Sequence, residues 1–164
     1  AGNALRRAAG RVWRSERMLA AEARPEVLAA ADAIKAGVPL FSSGKYDFKW
    51  IAAMDLFQCA GAAGDTIPAF LTKHAETTVM HCTDRFNIVF DDHDVRCAAA
   101  GGLLAELLAH FKAVQGGDSP LRFALFSGHD TTLMPVLACL EVGFDHPWPA
   151  YASNIAFELR RLGG

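Results

Sequence analysis

Cysteine is scarce and scattered in this chain of 164 residues: Cys59, Cys82, Cys97 and Cys139 form no Cys-x-x-Cys pair and are too few for a small disulfide-built scaffold. Reduced, packed thiols are the expectation, with one or two disulfides the alternative. No sign of charge dominates either. The formal net charge is -2, acids and bases alternate along the sequence, and no basic stripe is interleaved with aromatics, so nucleic acid is not an expected partner. Charged residues or turn signals interrupt every apolar stretch before the roughly 20 residues a membrane helix needs, so no membrane segment is expected. The first residues carry no apolar core and cleavage site of a signal peptide, and a start at Ala1 in place of Met points to trimming or a fragment. None of this fixes a compartment. What is abundant is apolar side chain, 52% of the residues, enough to build the core of one domain.

Helical signals fill the first two thirds. Ala-, Leu- and Arg-rich sequence from Ala4 to about Glu22 has high helix propensity, and Pro25 stands where a second helix can begin at its first turn. That second helix, to about Ala36, sets Val27, Leu28, Ala31 and Ile34 at helical spacing and stops at Gly37 as before a C-terminal glycine. Ser42-Ser43-Gly44 reads as loop, Phe48 to Cys59 as a third helix, and Ile67 to Met80 as a fourth. Phe86-Asn87-Ile88-Val89-Phe90 fits a short strand or an apolar-anchored loop equally well. Asp94 is a candidate N-cap for a long helix reaching Val114, with Leu103, Leu104, Leu107, Leu108 and Phe111 on its apolar face, ended by Gly116-Gly117-Asp118-Ser119-Pro120.

The last third reads differently. Leu121-Arg122-Phe123-Ala124-Leu125-Phe126 is apolar on both faces, as in a central strand covered on both sides, and Thr131 to about Val142, closed by Gly143, reads as a helix. A Pro- and aromatic-containing connection from Asp145 to Tyr151 leads to a second alternating strand, Asn154 to Arg160. Two strands cannot cover a central one, so the pattern is that of a piece of a larger sheet, with self-association or a missing N-terminal half as the expected complement.

Between that strand and helix lies Ser127-Gly128-His129-Asp130-Thr131-Thr132-Leu133. In open α/β sheets ligands bind at the carboxyl ends of strands, and a helix N-terminus there offers unpaired N–H groups and partial positive charge to an anion. A purely structural alternative for the pair is an Asp capping a helix beside a partly buried His. His74, His81 and His93 with Cys82 match no standard zinc spacing, and Asp91-Asp92-His93-Asp94 lacks the glycine and terminal glutamate of a calcium loop. Neither a metal nor a cofactor is expected. Trp13, Trp50 and Trp148 read as packing anchors, Trp148 with a lesser prospect of lining a pocket.

Three segments in order resemble the histidine acid phosphatase family, the branch with acid phosphatases and phytases. Ser127 to Leu133 is similar to the family's Ser-(Ala/Gly)-His-Asp-Thr-Thr-Leu motif. Pro149-Ala150-Tyr151-Ala152-Ser153-Asn154-Ile155-Ala156-Phe157-Glu158-Leu159 resembles its Pro-Tyr-Ala-Ser-x-x-x-x-Glu-Leu edge strand, and Gly101-Gly102-Leu103-Leu104-Ala105-Glu106-Leu107-Leu108 its Gly-Gly-x-Leu-x-x-Glu helix. Gly44 to Ile51 also resembles a segment of the phosphatase-like domain of diphosphoinositol pentakisphosphate kinases. The resemblance implies a partial α/β fold of the phosphoglycerate mutase-like, histidine phosphatase type, dominated by cap-domain helices over 1–115, with 116–164 as a remnant of the core sheet. It implies phosphomonoester hydrolysis through a phosphohistidine, on a phosphate monoester or inositol phosphate, with His129 binding phosphate and Asp130 as general acid and base. The family's nucleophile lies in an Arg-His-Gly-x-Arg-x-Pro motif, and this chain contains no Arg-His pair. Inactivity of the chain alone is therefore expected, with a non-catalytic module binding phosphorylated ligands or proteins as the alternative.

Overall fold

The computed structural model describes residues 2–142 and 148–161. It divides into two compact units, Gly10–Val89, and Phe90–Gly164 together with Ala1–Ala9.

The helical sequence expected to run unbroken to Glu22 is split into α1, Gly2–Val12, whose residues to Ala9 belong to the second of these units, and α2, Glu16–Glu22, in the first. Ser15 causes the break: its side chain accepts from the Met18 N–H at 3.2 Å and so starts a new helix, a stronger local option than continuing the old one. Pro25 opens α3, Pro25–Gly37, at its first position as expected, and Gly37 is the last helical residue. Short α4, Pro39–Ser42, leads through a loop to α5, Trp50–Ala63, which ends on a left-handed Gly64. The fourth expected helix is instead two, α6, Ala69–Thr72, and α7, Ala75–Asp91.

Helix α7 takes in Phe86 to Phe90, so that segment is neither strand nor loop. Its period was hidden because part of the buried face is polar. Thr78, His81 and Thr83 are buried beside Cys82. The two threonine hydroxyls donate to the carbonyls one turn back, Thr78 to His74 at 2.7 Å and Thr83 to Val79 at 2.8 Å, which removes the cost of burying them.

The core of this unit is formed by Val27, Ala30 and Ile34 of α3 with Phe41, Trp50, Ala53, Phe57 and Leu71. Edge-to-face ring contacts run through it, Phe41 to Phe48 at 5.4 Å between centroids, Phe48 to Trp50 at 5.0 Å and Trp50 to His81 at 4.5 Å.

The second unit is built on α8, His93–Gly116, and α9, Asp130–Cys139, packed against each other. Asp92, not Asp94, caps α8, its Oδ1 accepting from the Val95 N–H at 3.0 Å. Gly117 stops the helix with φ of 81°, a left-handed conformation that favours glycine. Gly101 and Gly102 do not interrupt α8. Among the described residues it is the one helix long and apolar enough to cross a membrane by length and composition, which corrects the expectation that no stretch would be.

The expected α/β architecture with a remnant of core sheet is corrected: the described residues contain helices and no strand. Residues 121–127 and 154–160 run without regular structure, and no backbone hydrogen bond among the described residues joins 121–128 to another segment. An extended, apolar sequence becomes a strand only when a neighbour supplies its N–H and C=O partners. Here none does, and Phe123 and Leu125 stand 76% and 81% exposed. The last helix is shorter than expected, ending at Cys139 with Leu140 as its cap. The expected stop at Gly143, and the start of the aromatic connection at 145–147, lie outside the described residues.

Candidate functional site

The His-Asp pair sits at the start of α9. His129 is the N-cap residue, exposed and in extended conformation, and Asp130 is the first helical residue, half-buried. Two local features force this entry. Thr132 Oγ1 accepts from the His129 N–H at 3.2 Å, closing the first turn back on the residue that begins it. Gly128 lets Thr132 come close, since a Cβ there would lie 3.1 Å from both its Cβ and its Oγ1.

The Asp130 carboxylate is held at both oxygens. The Thr131 backbone N–H donates to Oδ1 at 2.6 Å, and the Trp148 indole N–H donates to Oδ2 at 2.7 Å. Trp148 is 5% exposed, so its donor reaches the carboxylate from an apolar setting where a hydrogen bond to charge is strong. Each Asp130 oxygen keeps a second lone pair, so the carboxylate is fixed in orientation and still open to a proton or a ligand donor. Among the described residues no salt bridge reaches Asp130 or His129. Arg122, at the far end of the extended segment, is exposed, and Arg160 pairs with Glu158.

Neither site residue lines the groove of about 450 Å³ beside them. That groove runs between Leu133, Leu137 and Val142 on one side and Pro149, Ser153, Asn154 and Ile155 on the other. The helix start therefore presents a carboxylate and an imidazole at an open surface, and the apolar face one to two turns further on borders a separate hollow.

Both residues singled out from the sequence are thus together at a helix N-terminus. Trp148 was read from sequence as a packing anchor, and it is buried as such. Its hydrogen bond to a carboxylate 18 residues away had no local signal, because no periodicity links a helix start to a loop residue beyond the next turn. The histidines considered for metal do not gather. His81 is buried beside Glu22, His93 lies on the surface at the start of α8, and no group of three His, Cys, Asp or Glu side chains that could hold a metal occurs among the described residues. None of the four cysteines is in a disulfide.

The chain is similar to human (Homo sapiens) testicular acid phosphatase, 38% identical over 113 residues that make 66% of this chain and 26% of that one. It is similar also to a probable acid phosphatase of Schizosaccharomyces pombe, 36% identical over 69 residues, 40% of this chain and 15% of the relative. A third relative, lysophosphatidic acid phosphatase type 6 of Pongo abelii, is 33% identical over 73 residues, 42% of this chain and 17% of the relative. The chain spans about a quarter or less of the length of these relatives. No family model and no solved structure matches it.

Proposed function

Because the chain belongs to the histidine acid phosphatase family, matching the C-terminal portion of its members, we propose that it is the acid-carrying segment of a phosphomonoester hydrolase. Asp130 protonates the leaving alkoxide and then takes a proton from the attacking water, while His129 binds phosphoryl oxygens. One observation carries this reading: the Asp130 carboxylate is fixed at both oxygens, by Thr131 and Trp148, at a helix start where the exposed His129 stands beside it. A general acid must be aimed before its proton is useful, and an alkoxide leaves slowly without one.

Aiming an acid is a fraction of phosphoryl transfer. The larger stabilisation comes from cations around the transferring group, and no cationic partner reaches this pair among the described residues. The nucleophilic histidine and the phosphate-binding arginines are proposed to come from polypeptide outside these 164 residues, consistent with the absence of an Arg-His pair and the short span of the relatives that is matched. On this reading residues 1–115 are the mainly helical cap region, and 116–164 the segment that carries the acid. The exposed Phe123 and Leu125 are what that outside polypeptide covers, and in the chain made alone they drive self-association.

The test is hydrolysis of p-nitrophenyl phosphate at acid pH, by this chain and by a longer product of the same coding sequence. The longer protein is expected to turn over, and Asp130→Asn to lower its rate by about 10²–10⁴-fold. Turnover by the present chain alone, abolished by Asp130→Asn, overturns the division of labour. The absence of a cation beside the pair favours a second reading, a non-catalytic module that binds phosphorylated ligands or proteins. Binding of an inositol phosphate to the longer protein without turnover selects it, and turnover of that ligand identifies the substrate class.

A further inference from the structure

A histidine with no part in that chemistry is enclosed within Gly10–Val89. His81 of α7 is 1% exposed. Its Nδ1 lies 3.1 Å from Nη2 of Arg24, the residue that links α2 to α3. A guanidinium only donates, so this Nδ1 carries a bare lone pair and the ring proton is on Nε2. Nε2 in turn faces Glu22 Oε2 at 3.4 Å, a charge contact too poorly aligned to be a full hydrogen bond.

Every element packed on the ring contributes a group. From α2 comes Glu22, whose Oε1 also pairs with Arg85 Nε at 2.7 Å and whose Oε2 accepts from the Trp50 indole N–H of α5 at 3.2 Å. From the α2–α3 elbow comes Arg24, its Nη2 shared with Asp84 Oδ2 at 2.8 Å and its Nε 3.8 Å from Glu26 of α3. Asp84 and Arg85 belong to α7 itself.

We propose that His81 is a proton-operated latch on the α2–α3 elbow: neutral, it accepts from Arg24 and holds the elbow against α7; protonated at Nδ1, it cannot accept, meets the guanidinium as a like charge, and releases the elbow. The added proton comes from solvent and no other bond changes. Arg24 is the partner that gives way because it faces the newly charged Nδ1, whereas Glu22, similarly exposed, meets Nε2 as an opposite charge and is tied to both Trp50 and Arg85. Once His81 lets go, Arg24 retains its Nε bond to the Ala21 carbonyl at 3.1 Å, which stays within the elbow, and toward α7 the half-exposed pair with Asp84, of the kind that holds an elbow weakly.

The direction of the pH effect follows from burial. Desolvation lowers the His81 pKa from 6.5, Arg85 and Arg24 add to the lowering, and Glu22 opposes it. As pH falls below 6.5 the unfolded chain takes up this proton before the folded one, so the contribution of His81 to stability is complete above that pH and is lost below it.

Nitrogen-15 spectra of the histidine rings in the whole 164-residue chain test the latch. The expected result is the Nε2–H form at neutral pH and a His81 titration midpoint below 6.5. Amide-exchange protection of Val27 and Leu28, whose N–H groups donate to the Arg24 carbonyl, should fall with that same titration. In His81→Gln, an uncharged acceptor, protection at the elbow should stay constant between about pH 7 and 5. In Arg24→Gln, which keeps a donor and removes the charge, the midpoint should rise. An Nδ1–H ring at neutral pH, a midpoint at or above 6.5, or elbow protection that ignores the His81 titration overturns the proposal. Should His81→Gln fail to fold, the native titration decides.

Discussion

The two units differ in how far their apolar residues are covered: Gly10–Val89 leaves Leu19, Leu28 and Phe70 exposed around a closed core, while Phe90–Gly164 leaves most of its long helix and a whole extended segment exposed. In Gly10–Val89 the large side chains close on one another: Ile34, Ala53 and Met54 are fully buried, and even a histidine and two threonines are enclosed with their polar atoms contacted from within the unit. In Phe90–Gly164 the longest helix is mostly uncovered and the extended segment before the His-Asp pair exposes Phe123, Leu125 and Phe126. The difference teaches that the unit bearing the candidate site leaves more of its apolar surface uncovered. A closed core stabilises itself, whereas a row of exposed apolar residues with no backbone partner adds little to the stability of its unit.

The contrast is broken or sharpened most strongly in the closed core. Ile34→Ala should destabilise Gly10–Val89 by about 2–5 kcal/mol, the cost of lost transfer energy plus a cavity, read from urea unfolding followed by Trp50 fluorescence in a Trp13→Phe, Trp148→Phe background. A loss much smaller than this means that the core is looser than its burial indicates. Next comes the site. Trp148→Phe removes the donor to Asp130 Oδ2 and should cost about 1.5–3 kcal/mol, typical of a hydrogen bond to a carboxylate, with Asp130→Asn on the same background adding little because the pair is already broken. Full additivity of the two changes would show that the 2.7 Å contact does not hold in solution. Smallest is Leu125→Ala, expected to change stability by no more than about 0.5 kcal/mol in the monomer, as at other exposed positions. A core-sized loss there, growing with protein concentration, would mean that the segment is covered by a second copy.

Particular elements show how far the sequence could be read. Pro25 and the apolar spacing behind it placed α3, and Gly117 placed the end of α8, because first-turn proline and left-handed glycine act through bonds a few residues long. The break at Ser15 was equally local and was overlooked because helix propensity is high on both sides of it. Helix α7 was obscured for another reason: Thr78, His81 and Thr83 look like a solvated face until the helix's own carbonyls are seen to accept from the threonines and Arg24 and Glu22 to flank the imidazole. The two expected strands failed as strands because pairing depends on a neighbour, and apolar alternation records only a readiness to pair.

By itself the sequence determined the start of α9, with His129 and Asp130 adjacent at its first turn, since a capping threonine three residues on and a glycine before it act within one turn of chain. Only the tertiary structure decided what holds Asp130, what encloses His81, and that residues 121–127 stay unpaired. Each depends on groups 18 or more residues apart, or on partners that the described residues do not supply, and such contacts follow from packing and the shielding of charge, which no local spacing encodes.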